Sequence, residues 1–297
     1  MNNEFIDIHA HCVQEAAWGY DRGLKPMCEV KDLLGFYDLY GVEKGVLLPL
    51  CNAENFQLQG NEEVLRMAKE NPDRFIPFCN IDARACNNSP YSPLYDAIMY
   101  YRDKGCKGVG EVCNNLSFLD PRVRNLFRAT EKAGLPLTFH IATRYENTYG
   151  IVDEPGLPGL ESSLQEFPNL KFFGHSQAFW CEISEYDDLS LRGGYPTGKV
   201  KEGRVAQLMR KYPNLYGDLS ANSGAIALQR DREYAIKFLN EFQDRLMFGL
   251  DLCQPMAERS WHAILPPFLR DLRDSGDISQ EVFYKVAKGN AIRLLSL

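Results

Sequence analysis

The chain has 297 residues, 45% of them hydrophobic and 25% charged, with a formal charge of −7 at pH 7. That length can bury one large core, and because the Lys and Arg residues are scattered singly the chain is not expected to bind nucleic acid or an anionic membrane, which need clustered basic groups. Nine cysteines with no C-x-x-C pair argue against a zinc knuckle or a disulfide framework and point to reduced thiols in the cytoplasm; neither a basic leader with an apolar stretch nor a run of about 18 apolar residues is present, so no membrane span is expected.

Short apolar runs bounded by turn residues recur along the chain. They are FIDIHAHC (5–12), GVLLPL (45–50), FIPFCNID (75–82), CKGVGEVC (106–113), LPLTFHIA (135–142), LKFFGHS (170–176), LYGDLS (215–220) and LMFGLDLC (246–253). Between them lie stretches of helical period at 30–41, 61–72, 93–105, 121–134, 158–168, 203–213 and 232–243, several stopping at Gly or Pro, and two more follow the last run at 262–276 and 279–297. In the closing stretch Val282, Phe283, Val286 and Ala287 form one apolar stripe. Eight strand-helix units predict an α/β protein, a (β/α)8 TIM barrel, as one domain over 1–297. A doubly wound open sheet is the alternative, but no G-x-G-x-x-G follows any strand. The irregular stretch 180–199 follows the sixth strand on the side where barrels build active sites, and is expected to form a lid-like insertion.

Four of the five histidines fall at strand ends. His9 and His11 are two apart, so on an alternating strand they point the same way, roughly 6.5 Å apart, and two imidazoles so placed can converge on one ion at about 2.1 Å each. A hydrogen-bonded core histidine is the plainer reading of either residue alone. His140 ends the fifth strand, His175 the sixth, and Asp251 lies near the end of the eighth, each among few ionisable groups in an apolar run; buried ionisable groups need partners or a metal, so a shared metal site is expected. The fifth histidine, His262, sits beside Trp261 and reads as structural. Asp7 shares the parity of His9 and His11, one layer deeper, and is expected either to orient a metal-binding imidazole or to make a buried hydrogen bond to backbone. By the same parity Cys113 and Cys253 face the site, as zinc ligands or, the favoured reading, as small buried apolar residues, whereas Cys12 packs under the helices. Arg144 is a candidate to hold a substrate carboxylate and Trp180 an apolar substrate face, against the readings of a solvated loop Arg and an anchoring Trp. Asp218 lines the same region, with no role assigned.

DIHAH on the first strand, FHIA on the fifth, FGHS on the sixth, FGLDL on the eighth and KGNAIRLL near the end, in this order across the chain, resemble the amidohydrolase superfamily, within it the amidohydrolase-related branch of metal-dependent hydrolases and decarboxylases. The resemblance implies that His9, His11, His140 and Asp251 bind one divalent ion, zinc foremost, with manganese, iron or cobalt also suited to these donors, and that His175 is a second catalytic residue. Three imidazoles and a carboxylate leave a position for water, whose pKa falls towards about 7 on zinc; Asp251 then takes its proton while His175 stabilises charge or shuttles a proton. Glu111 stands where some superfamily members bridge two metals, so it is read either as the ligand of a second ion or as a carboxylate that contacts substrate or supports a metal ligand from behind. The leading expectation is hydrolysis of a small-molecule amide, ester or lactone. The alternative is a non-oxidative decarboxylase of an aromatic or unsaturated acid, and a barrel that binds without turnover is the third reading. A homodimer is expected from the resemblance alone.

Overall fold

The computed structural model describes residues 3–15, 27–55, 58–186, 188–255 and 263–297; Trp261 and His262 lie outside them. The strands are β1 (Phe5–Ala10), β2 (Val42–Leu47), β3 (Phe75–Pro77), β4 (Val109–Val112), β5 (Leu137–Ala142), β6 (Ile151–Val152), β7 (Phe172–His175), β8 (Leu215–Asp218) and β9 (Leu246–Met247). The named strands all pair in parallel, in the orders β1-β2-β3 and β4-β5-β7-β8-β9, with β6 on β5. Two seams join these halves. Cys79 N–H donates to Gly108 O and Gly110 N–H to Cys79 O between β3 and β4, while Ile8 N–H donates to Phe248 O and His11 N–H to Leu252 O between β1 and the segment after β9. The sheet therefore closes into the expected barrel, with each of the eight predicted runs supplying a strand. The second strand begins three residues earlier than the run 45–50, because Gly41, at φ 74 in the left-handed region, ends the preceding helix and lets the strand start at once.

The helices α1 (Val30–Tyr40), α2 (Asn61–Glu70), α3 (Leu94–Asp103), α4 (Pro121–Ala133), α5 (Pro158–Glu166), α6 (Gln177–Cys181), α7 (Arg204–Lys211), α8 (Ala221–Gln229), α9 (Arg232–Glu241) and α10 (Leu265–Asp274) surround it, and the closing stretch divides into α11 (Gln280–Tyr284), a π-turn and α12 (Asn290–Leu295). In α4, Asp120 caps Arg122 N–H, Pro121 opens the first turn and Gly134 closes it with φ 72. A large apolar layer packs between barrel and helices. A smaller cluster fills the barrel with Ile6, Ile8, Val46, Phe78, Phe173 and Tyr216, and Leu294 and Leu295 of α12 join it.

That inner cluster corrects one expectation. Ile6 and Ile8 face inward, and Asp7 faces outward, where it accepts from Tyr37 Oη of α1 at 3.0 Å. The ladder is irregular between Asp7 and Ala10. Such a bulge changes which side chains share a face, so His9 and His11 turn inward although Asp7 does not. Asp7 Oδ1 accepts the backbone N–H groups of His9 and Leu250, tying β1 to the end of the eighth barrel strand. Its burial, outweighing those hydrogen bonds, pushes its pKa up to about 7. Cys12 packs under the helices as expected, its Sγ 4.0 Å from Met67 Sδ of α2.

Candidate metal centre and active site

His9, His11, His140, His175, Glu111, Asp218 and Asp251 all come from strand ends or the residues just past them, on one side of the barrel. β5 and β7 pair with His140 directly beside His175, and the His9 and His175 rings are 4.2 Å apart between centroids. Local backbone strain marks the same places. Asp251 has φ 52 and Ser176, next to His175, has φ 113; such conformations cost about 1–3 kcal/mol in non-glycine residues and collect at functional sites. Ser176 is held there by its Oγ, which accepts from Ile141 N–H and Phe179 N–H. Gly110, just before Glu111, has φ +141, and a Cβ there would lie 2.7 Å from Thr138 O, so only glycine fits the turn that brings Glu111 inward. Asn80 Nδ2 donates to Glu111 O and Asn52 Oδ1 accepts from Cys113 N–H, fixing this strand end from the neighbouring strands.

The imidazoles are oriented from behind. His11 Nδ1 is 2.8 Å from Leu48 O, which can only accept, so the proton is on Nδ1 and the Nε2 lone pair faces the site. His9 Nδ1 is 2.7 Å from Asp218 Oδ2 and is fixed the same way. His175 Nδ1 is 2.9 Å from Ser220 Oγ and 3.7 Å from Asp218 Oδ2, and Ser220 N–H donates to Asp218 Oδ1. Asp218 thus organises two histidines. The role assigned to Asp7 as one possibility, orienting an imidazole, belongs to Asp218.

Besides the hydrogen-bonded cluster of His9, His175 and Asp218, the donor atoms form two groups that share their carboxylates. Around one point, His9 Nε2 and His11 Nε2 are 3.2 Å apart, Glu111 Oε2 is 3.6 and 3.3 Å from them, and Asp251 Oδ1 is 3.7 Å from each. Four ligands at about 2.1 Å from a tetrahedral ion stand about 3.4 Å from one another, so these residues fit a divalent ion. The second group joins Glu111 Oε1, 2.9 Å from His140 Nδ1 and 3.9 Å from His175 Nε2, with Asp251 Oδ2 3.6 Å from His175 Nε2. The structure therefore brings His9, His11 and Asp251 together and sets His140 with Glu111 and His175, which differs from the expected set of four on one ion.

Electrostatics agree with a cation-binding cavity. Burial opposes ionisation of Glu111, but His9 and the contacts with His11 and His140 hold its carboxyl well below the usual range. Burial likewise opposes Asp251, which His9 and His175 bring to about 2, and His9 and its hydrogen bond keep Asp218 low. Burial alone would lower His9, yet Asp218, Asp251 and Glu111 together raise it well above the imidazole range. His140 is lowered, by burial. Two buried carboxylates and the partly buried Asp251, facing four imidazoles, call for positive charge, which a divalent ion provides.

Cys113 is fully buried against Glu111. Arg144 lies exposed in the loop after β5, its carbonyl bonded by Asn115 Nδ2. Trp180 does not offer a face to substrate: it is 1% exposed, its indole N–H donates to Asp218 O, and its ring meets Phe179 and Phe238. It anchors α6 behind the site. Within the stretch 180–199, described except at 187, Tyr195 Oη accepts from Gln177 Nε2, and the buried Arg192 pairs with Glu182 and donates to Asp153 O and Glu154 O, which staples these residues to the segment after β6. Sequence reasoning missed Ser220, Asn115 and Tyr149. Ser220 shares the strand-end parity of Asp218, a usable signal; the loop residues carried none.

Closed barrel, strand-end histidines and shared carboxylates define a metal-dependent barrel enzyme. The chain belongs to the amidohydrolase family, whose model matches residues 6–297. No curated protein matches it by sequence. Among solved structures it is similar to 5-carboxyvanillate decarboxylase from Sphingomonas paucimobilis (18% identity, 100% of both chains, TM-score 0.59). It is also similar to a dihydroxybenzoic acid decarboxylase from Polaromonas sp. JS666 with bound manganese and 2-nitroresorcinol (13%, 100% of this chain and 98% of that one, 0.60). A third is a probable 2-pyrone-4,6-dicarboxylic acid hydrolase from Acinetobacter baumannii (14%, 99% and 100%, 0.61). No described helix is long and apolar enough to cross a membrane.

Proposed function

We propose that this protein is a metal-dependent, non-oxidative decarboxylase of an aromatic or unsaturated carboxylic acid. The observation that carries this reading is the end-to-end likeness to two decarboxylases of hydroxylated aromatic acids, joined to a site with a proton-transfer pair beside its metal donors. It displaces hydrolysis, the leading expectation from sequence, to second place; the likeness to a probable hydrolase keeps that reading in the test.

His9, His11, Asp251 and Glu111 would hold the ion, with His140 and His175 offering a second position across Glu111. A divalent ion there, Zn2+ or the Mn2+ seen in one similar structure, would supply Lewis-acid charge for the substrate's oxygens. Decarboxylation breaks the bond between the carboxyl carbon and its neighbour, releases carbon dioxide and leaves the electron pair on that neighbour, which needs a proton. With that second position empty, His175 Nε2 holds this proton and Asp251, 3.6 Å from it, passes it on. Ser220 and Asp218 keep the imidazole aimed at the site.

Elemental analysis of metal-replete protein reads the occupancy, one ion per chain for the first group alone and two for both. Turnover of hydroxylated benzoates in 2H2O then tests the reaction. A decarboxylase leaves one non-exchangeable deuterium on the carbon that lost carbon dioxide. No turnover of benzoates, together with cleavage of an ester or lactone that takes up solvent oxygen and releases no carbon dioxide, would replace this reading with hydrolysis.

A further inference from the structure

The loop after β5 makes an excursion over residues 143–150 and returns as β6, pairing Ile151 with Ile141 and Val152 with Ala142. Asn115, in the loop after β4, clasps it at three points. Its Nδ2 donates to Arg144 O and Gly150 O, and its Oδ1 accepts from Glu146 N–H at 2.8 Å. Asn115 is itself held, because Glu54 Oε1 accepts its N–H while Glu54 Oε2 takes Arg84. Gly150 N–H donates to Cys113 O at 2.7 Å. Gly150 has φ +112, and a Cβ there would come within 2.8 Å of His140 Cδ2 and Ala142 N, so the loop lies directly on His140 only because this residue is glycine.

The residue so placed is Tyr149. Its ring centroid is 4.6 Å from that of His140, at 50° between planes. Burial of its hydroxyl end, with Glu111 and Asp251 nearby, raises its pKa well above 10, so the phenol keeps its proton. Yet the residue is 46% exposed, and it borders an open cavity of about 530 Å3 together with Glu54, Asn115 and Glu146. A flat ring on a pinned backbone thus packs beside the donor His140, in a residue that also borders a cavity otherwise lined by polar groups.

We propose that Tyr149 is a specificity-determining residue: its ring is the wall of the substrate pocket next to His140 and selects a planar conjugated acid over a saturated acid of the same size. The inference rests on the reading above that the site takes a carboxylic acid. A planar ring keeps offset or edge contact with the phenol along its whole face, whereas a chair-shaped ring touches it only at its axial hydrogens. Aromatic pairing beyond simple burial corresponds to about a 2- to 10-fold change in affinity.

The test is calorimetric titration of the cobalt-loaded protein with benzoate, cyclohexanecarboxylate and acetate, in the wild type and in Tyr149→Ala, Tyr149→Leu and Tyr149→Phe, with cobalt content and circular dichroism checked for each. The wild type and Tyr149→Phe are expected to prefer benzoate over cyclohexanecarboxylate by about 2- to 10-fold. Tyr149→Ala and Tyr149→Leu lose that preference while acetate affinity stays the same. Equal preference in all four proteins, or no carboxylate binding at all, overturns the proposal. Carbon dioxide release is assayed separately: a benzoate preference that depends on the Tyr149 ring, in a protein that decarboxylates no aromatic acid, would sink the decarboxylase reading and leave the wall in place.

Discussion

Replacing Asp218 by Asn tests the architecture of the metal centre without touching a donor atom. The side chain is fully buried, with one oxygen 2.7 Å from His9 Nδ1 and the other accepting Ser220 N–H at 2.9 Å. An asparagine offers one acceptor and one NH2. If its oxygen faces Ser220, the NH2 meets His9 Nδ1–H, and the imidazole must move its proton to Nε2, the atom needed for metal. If its oxygen faces His9, two N–H groups oppose each other at Ser220 and a buried donor is left unmet, at about 1–3 kcal/mol. Loss of such an orienting carboxylate typically lowers metal affinity about 10- to 100-fold, or about 1.4–2.7 kcal/mol. The assay is competition for zinc against a chromophoric chelator, with circular dichroism confirming the fold. Affinity within twofold of wild type in a folded Asp218→Asn protein would refute the claim that Asp218 sets the His9 tautomer.

Further outcomes follow from other contacts. His175→Ala should slow turnover on an identified substrate by about 10²–10⁴-fold while elemental analysis still finds the ion at His9 and His11; turnover within threefold of wild type would remove His175 from proton transfer. Arg192→Ala leaves the buried Glu182 without its cationic partner, though Gly156 N–H and Tyr186 Oη still donate to it; by analogy with broken buried pairs this costs up to about 3–5 kcal/mol and should lower the melting temperature by up to about 10 °C. An unchanged melt would mean that the stretch 180–199 is not held by this pair. Burial opposes ionisation of Asp82, but Arg84 outweighs it and holds the carboxyl below its ordinary value of 3.8. A lowered pKa stabilises the fold above the unfolded value and loses that stability as pH falls through the folded one. Thermal melts at pH 7 and pH 3.5 should therefore show a larger acid-side loss for wild type than for Asp82→Asn, and parallel losses would contradict the assignment.

The histidines were legible because each stands out chemically in an apolar run, and a parallel barrel delivers every strand end to one rim. That logic needs only the order of strands, so small errors in their bounds, such as the early start of β2, did no harm. Asp7 shows where it stops. Period-two parity assumes an unbroken strand, and the irregularity between Asp7 and Ala10 reverses it with no mark in FIDIHAHC. Trp180 failed for a related reason: five residues past His175 reads as loop, but Ser176 caps a helix there and turns the indole back under β8. Tyr149 lay beyond reach because its position depends on Asn115, a residue 34 positions earlier in sequence.

The division of the donors into two groups is the point at which sequence and structure lead to different chemistry. Reading outward from the strands, each histidine is an equal candidate for one ion, since spacing says which residues reach the rim and nothing about which lone pairs meet. The partners behind the rings decide it. Leu48 O and Asp218 both take Nδ1 protons, aiming the Nε2 atoms of His11 and His9 at one point, whereas His140 presents Nδ1 itself to Glu111 Oε1. A carboxylate with one oxygen on each group couples them, so charge placed in the first changes the second. Glu111→Gln keeps the shape and removes that charge. If both positions are filled in the wild type, this single substitution should release the ion at His140 and His175 first, because the other group keeps Asp218 hydrogen-bonded to its ligand His9 whereas His140 loses the only carboxylate on its Nδ1; retention of two ions per chain would show that the charge of Glu111 is not needed to hold them.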